Sequence, residues 1–263
     1  SATTADYSSQ TTGAGIRYKI PMSEYNALSF SAAFEQIDLE ENLNTPLEYR
    51  SFIDLHPDNT NFNLSTGFSK DTRDSIFFPK TGFYRRISGE AAIPGSDLEY
   101  YKVSLRGSWY RRLAGRLVLS LRGDVGYGDG YGGLDQLPFF KNYYAGGASS
   151  VRGFESRSLG PVSSDLESDP LGGNVRTVAS IEMFAPIPGL EDGNDKRLSV
   201  FFDSGQVFGE DQNFEFDQLR LSFGAGFHWF SPVGPISLSY AQPLNDKAGD
   251  DVKKIQFTLG AVR

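Results

Sequence analysis

Side chains of alternating character recur along almost the whole chain, and this repetition limits what it can fold into. From Tyr101, the residues Val103, Leu105, Gly107 and Trp109 alternate with Lys102, Ser104, Arg106 and Ser108. From Arg116, Leu117, Leu119, Leu121, Gly123 and Val125 alternate with Ser120, Arg122 and Asp124. From Gln218, Leu219, Leu221, Phe223, Ala225, Phe227 and Trp229 alternate with Arg220, Ser222, Gly224, Gly226 and His228. A strand sends successive side chains to opposite faces, so each segment has one greasy and one polar face. Weaker versions occupy 7–20, 25–38, 61–73, 82–94, 174–187, 196–208, 235–244 and 252–263. The periodicity predicts an all-β chain of eleven strands and no helix.

Strands of ten to fourteen residues are long for a soluble sandwich, where about five or six is usual. Tight turns at Pro21–Glu24, Ala114–Gly115 and Pro232–Pro235, and a longer one at Asp74–Thr81, alternate with long connections at 39–60, 129–172 and 209–217. Short turns on one rim and long loops on the other are the layout of an outer-membrane barrel. No stretch approaches the roughly 18 apolar residues of a spanning helix. A soluble barrel would turn its apolar set inward, whereas a membrane barrel turns it outward. The outward reading is favoured by continuous Leu, Phe, Val and Ala faces and by charges on the polar faces at Arg106, Arg122, Arg220 and Lys254. Aromatics gathered near strand ends, as an interfacial girdle would be, favour it too: Phe77, Phe78, Tyr100, Tyr101, Trp109, Tyr127, Phe227, Trp229 and Phe230.

With the faces set this way, Val178, Ser180 and Glu182 point into the lumen from one strand. Ser199, Phe201 and Asp203 do so from the next. Just before them lies AGGASSVRGFESRSLGP, 145–161, which places Val151, Arg152, Gly153 and Phe154 among small residues. A guanidinium presents a planar fork to carboxylates, and a charge in a partly dehydrated lumen is costly unless paired. An inward fold would let Arg152 meet Glu182 and Asp203. The residues alone also allow a solvated loop and solvated acids.

Other chemistry finds little support. A formal net charge of −8 argues against nucleic acid. No cysteine is present, which removes disulfides and thiolate metal sites. Gly128, Gly130 and Gly133 match a GxGxxG pattern, but no helix follows to receive a dinucleotide. His56 and His228 have no second ligand at metal-binding spacing. Asp192, Asn194 and Asp195 hint faintly at calcium, although turn chemistry accounts for them. No nucleophile pairs with His228. No metal, cofactor or enzymatic activity is therefore expected.

VRGF at 151–154, VASIEMFAP at 178–186, FFDSG at 201–205, WFSPVGPISLSYAQPL at 229–244 and IPGSDLEYYKVSL at 93–105 together carry a resemblance. With GYGDGYGG at 126–133 they make the chain similar, over nearly its whole length, to the BamA family of outer-membrane assembly factors. That family lies in the superfamily of polypeptide-transporting barrels that also holds TamA and the two-partner secretion transporters. The resemblance implies a sixteen-stranded barrel of which these residues match the last eleven strands, with residues 1–6 in a surface loop. It also implies that the 129–172 loop plugs the lumen, its Arg152 pairing with Glu182 and Asp203. The last strand, carrying Ile255, Phe257 and Gly260, would form one side of a lateral seam, kinked at Gly260. The implied role is insertion of β-barrel clients into the outer membrane of a Gram-negative bacterium, with accessory lipoproteins attached through POTRA domains. The family ends in an aromatic where this sequence has Arg263, so the chain is expected to be a piece of a longer one. A related polypeptide transporter, a porin with a plugging loop and an outer-membrane enzyme are the alternatives.

Overall fold

A computed structural model describes residues 7–165, 168–187, 189 and 195–260. In chain order the elements are β1 (Ser8–Pro21), β2 (Asn26–Glu40), α1 (Leu47–Leu55), β3 (Asp58–Asp71), β4 (Gly82–Ala92), β5 (Tyr100–Arg112) and β6 (Val118–Gly130). There follow β7 (Gly153–Phe154), β8 (Val175–Pro186), β9 (Lys196–Phe208), β10 (Arg220–Ser231), β11 (Gly234–Pro243), β12 (Val252–Lys253) and β13 (Ile255–Leu259). Eleven strands form one sheet in sequence order from β1 to β13, each antiparallel to the next, while β7 and β12 pair separately. This is the predicted antiparallel architecture, open between β1 and β13 in these residues.

The polarity of the sheet is that of a membrane barrel. Leu105, Val125, Ile181, Val200, Phe223 and Leu238 are exposed on the outer face, while Ser180, Glu182, Ser199, Asp203 and Ser222 are buried on the inner one. An outer face of this kind satisfies hydrocarbon, and the ladder pairs the backbone groups that hydrocarbon would leave unsatisfied.

Three expectations need correction. The 39–60 loop contains a helix, α1, which begins after Pro46 and buries Tyr49, Phe52 and Ile53. Those positions are i, i+3 and i+4, one helical face. Nine residues are too few for a stable isolated helix, so tertiary packing decides. The Tyr49 ring stacks on Phe139 at 4.0 Å, and its hydroxyl donates to the Leu171 carbonyl at 2.8 Å. With Ile37, Leu39, Leu134 and Leu137 these residues form an apolar core above the barrel. The 129–172 loop is thus divided, one part capping and 145–161 entering the lumen.

Second, some of the expected girdle aromatics face inward. Tyr100 is fully buried and its hydroxyl donates to Glu90 at 2.6 Å. Phe77 and Phe78 belong to the β3–β4 turn, which reaches across the opposite mouth. Phe77 lies 4.6 Å from the Phe230 ring, and the carbonyls of Phe78 and Pro79 accept from Arg197 at 2.6 and 3.2 Å.

Third, 252–263 is not one strand. Ala241 N–H donates to Lys254 O and Gly260 N–H to Pro235 O, both at 2.8 Å, so even-numbered residues of the last strand bond to β11. The next such position, Val252, would face Pro243, which has no N–H to give. The chain departs there and β12 pairs with β7 instead. At the other end Gly260 has a left-handed φ of 76°. Residues 261–263, and with them Arg263, lie outside the described residues, as do 1–6, Asp192 and Asn194.

Replacing Phe139 with Ala removes the ring on which Tyr49 stacks and is expected to cost the cap about 3–5 kcal/mol. Limited proteolysis of the full-length protein checks this: cleavage within 41–57 should accelerate while the barrel keeps its heat-modifiable migration.

Candidate functional site

The site is the place where the 145–161 loop meets the inner wall of β8 and β9. All four residues of the loop motif, Val151, Arg152, Gly153 and Phe154, are buried. Val151 and Phe154 pack with Ala145, Leu159 and Val207. Gly153 adopts a φ of 93°, and a Cβ there would stand 3.3 Å from both Ala241 Cβ and Pro243 Cδ on β11. Only glycine accepts that backbone and that approach at little cost.

Arg152 is 2% exposed. Its Nε donates to Asp203 Oδ2 at 2.6 Å and its Nη2 to Asp203 Oδ1 at 2.8 Å, a two-pronged contact. The Arg152 backbone N–H also donates to Oδ2 at 3.1 Å, and Ser180 Oγ to Oδ1 at 2.7 Å. Nη1 reaches Glu182 Oε1 at 2.9 Å. The guanidinium carbon lies 3.2 Å from the centre of the Phe201 ring, an apolar residue on the lumen face whose purpose is then clear.

Sequence reading singled out Glu182 and Asp203 for Arg152, and the structure brings these three residues together. It did not foresee the rest of the shell. Arg122 Nη2 donates to Glu182 Oε2 at 3.0 Å, so two guanidiniums face two carboxylates and the buried charges balance. His228 Nε2 lies 3.3 Å from Glu182 Oε1 and 2.9 Å from Ser199 Oγ, while Nδ1 lies 3.0 Å from Ser237 Oγ on β11. Arg122 and His228 were both legible as lumen-facing by alternation. What the alternation lacks is depth along the barrel, which sets who meets whom.

The structure does not bring the predicted seam residues Ile255, Phe257 and Gly260 to Arg152. Ile255 and Phe257 project outward and are exposed. Between them, Gln256 is buried and its Nε2 donates to the Phe154 carbonyl at 2.6 Å. Lys253 Nζ meets Glu155 Oε2 at 2.8 Å. That ammonium, followed by the Ser156 amide, holds the Glu155 carboxyl below the ordinary carboxylate value.

An antiparallel sheet that is apolar outside and polar inside, with an arginine-anchored loop on its inner wall, defines the wall of an outer-membrane barrel. The chain belongs to the Omp85 superfamily, whose domain matches residues 1–261. It is 34% identical to the outer membrane protein assembly factor BamA of Neisseria meningitidis serogroup B over 97% of its length and 36% of the relative's. It is 28% identical to BamA of Nitratidesulfovibrio vulgaris, covering 97% of this chain and 32% of that one. Among solved structures, the BamA of Haemophilus ducreyi lacking POTRA domains 1-3 superposes with a TM-score of 0.86 at 28% identity, covering 96% of this chain and 54% of that one. The chain thus spans about a third of the length of the curated relatives it matches.

Arg152→Ala leaves two buried carboxylates short of their main partner, for which a loss of ~3–5 kcal/mol is expected. Arg152→Lys keeps the charge but not the fork and should recover only part of it. Protease sensitivity of 145–161 and the temperature of heat-modifiable unfolding measure both. A second expectation concerns acid. Because the Glu155 carboxyl is lowered in the folded state, its pairing with Lys253 adds stability above the free glutamate value of about 4.3, lost as pH falls through the lowered one. Amide exchange at 251–254 should rise over that interval, and Glu155→Gln should flatten the dependence.

Proposed function

We propose that this chain belongs to the membrane-embedded barrel of a factor that folds and inserts β-barrel proteins into the outer membrane of a Gram-negative bacterium. One observation carries the reading: the chain matches an Omp85 domain over residues 1–261, and the last strand of that match is the five-residue β13. Residues 254 and 260 bond to β11, so by alternation Ile255, Phe257 and Leu259 aim their N–H and C=O groups away from it. A strand arriving from solution could pair there and satisfy groups that hydrocarbon leaves bare. The similarity to assembly factors over 97% of the chain supports the same reading.

The work is physical, with no covalent step and no cofactor. The partners are the bilayer and unfolded barrel clients; accessory lipoproteins would attach through POTRA domains, and nucleic acid has no part. Ile255, Phe257 and Leu259 supply the templating edge, Gly260 ends it with its turn, and the Arg152–Asp203–Glu182 cluster keeps the loop in place beside it.

Phe257→Pro deletes one donor on the open edge without removing a bond to β11. Full-length protein in lipid vesicles is expected to lose most of its ability to fold a urea-unfolded eight-stranded barrel, while Phe257→Ala stays near the starting rate. Unchanged client folding by the proline variant would refute the seam.

A further inference from the structure

Two cations stand side by side on the lipid-facing side of the sheet. Lys70 on β3 is the register partner of Arg85 on β4. Cross-strand partners share a face. That face is the outer one, because the next pair on it is Phe68 with Ile87, and Ile87 is half exposed. Both strands lie inside the sheet, bonded to a neighbour on each side, so the cations are remote from its two ends.

Like charges directly opposite one another, with Cβ atoms about 4.5–5.5 Å apart, destabilise a strand pair. Among the described residues no carboxylate relieves them, and the adjacent Asp71 is taken by Arg73 at 2.7 Å. Both cations instead lie over one ring, Phe83, each 5.6 Å from its centre. Phe83 is paired with Trp109 on β5, which is exposed. Toward the β3–β4 turn the wall therefore passes from an apolar pair to a cation pair to an aromatic pair. Aromatics of this kind sit at headgroup level, and long cationic side chains reach from apolar surface to the same level. Beside Arg85 the wall is also recessed. Its partner on β5 is Gly107, where a Cβ would approach only the Tyr84 carbonyl oxygen, at 3.8 Å.

Repulsion, recess and depth ask for the same thing, an anion set between the cations from the lipid side. Hydrocarbon has none to give, so it must come from a headgroup. Short turns of an outer-membrane barrel face the periplasm, where the leaflet is built of glycerophospholipids. We propose that Lys70 and Arg85, flanked by Phe83 and Trp109, bind the phosphate of an anionic glycerophospholipid of that leaflet, with its acyl chains along Phe68 and Ile87. A lipid held there fixes the depth of this wall in the bilayer, as interfacial anchors do.

Native mass spectrometry of the full-length protein, titrated in detergent with phosphatidylglycerol or phosphatidylcholine, tests this. The first phosphatidylglycerol should bind several-fold more tightly than the first phosphatidylcholine. Lys70→Gln with Arg85→Gln should bring the two lipids level while heat-modifiable migration is unchanged. Arg112→Gln with Arg116→Gln removes as much charge around the next turn and should leave the preference in place. Gly107→Glu keeps both cations but supplies a carboxylate beside Arg85, and should also lower the preference; it decides the matter if the Lys70–Arg85 variant fails to fold. No preference for phosphatidylglycerol would overturn the proposal. Equal losses in the two double variants would do so as well, since they would show only diffuse attraction. Full preference retained by Gly107→Glu would overturn the placement of the phosphate. An adduct of lipid A, a bisphosphorylated glycolipid, that the Lys70–Arg85 variant loses while phosphatidylglycerol binding is unaffected would overturn the choice of lipid.

Discussion

A guanidinium taken out of water must find its full set of acceptors or the fold around it is not worth forming. Arg152 finds them on two adjacent strands, through both oxygens of Asp203 and one of Glu182, with Phe201 beneath. Because β8 and β9 supply both acids, the loop can dock fully only once those strands are paired in register, with Ser180 opposite Asp203. Arg122 from β6 completes the charge balance. Loop, wall and neighbouring strands are therefore joined by one cluster. It could not be built piecemeal without stranding a charge.

The same cluster explains how function and architecture share residues. The segment held down by Arg152 is the segment that pairs with β12. A firm anchor immediately before a two-residue strand pairing makes sense of an otherwise slight contact. Hydrogen bonds at 153–155 would be weak alone, and they gain persistence from the neighbouring ion pairs.

Much of this was legible from residue order, and the limits have physical causes. Alternation gave the strands and their faces because a bilayer outside and water inside impose opposite demands on neighbouring side chains. It therefore gave Glu182 and Asp203 as inward, while Arg152 as their partner followed from the resemblance carried by the loop motif. It could not give α1, since Tyr49, Phe52 and Ile53 become a helical face only when Phe139 and Leu171 arrive from distant sequence. It misplaced Tyr100 and Phe78 because an aromatic near a strand end can face the interface or the lumen with equal ease. It ran β12 and β13 together because side-chain pattern is blind to a missing backbone hydrogen on the neighbouring strand, at Pro243. Gln256 went unnoticed for a related reason: its partner is a carbonyl, which every residue has.

The apolar core above the barrel has a consequence in time. Its contacts join residues far apart in the chain, Tyr49 and Leu171 being separated by 122 positions. Closing so long a loop is entropically unfavourable until intervening strands have already drawn the ends together. The cap is thus a late structure, a seal set after the wall beneath it is complete. A nascent copy of this chain would show the outside world open, hydrated loops first and a closed dome last.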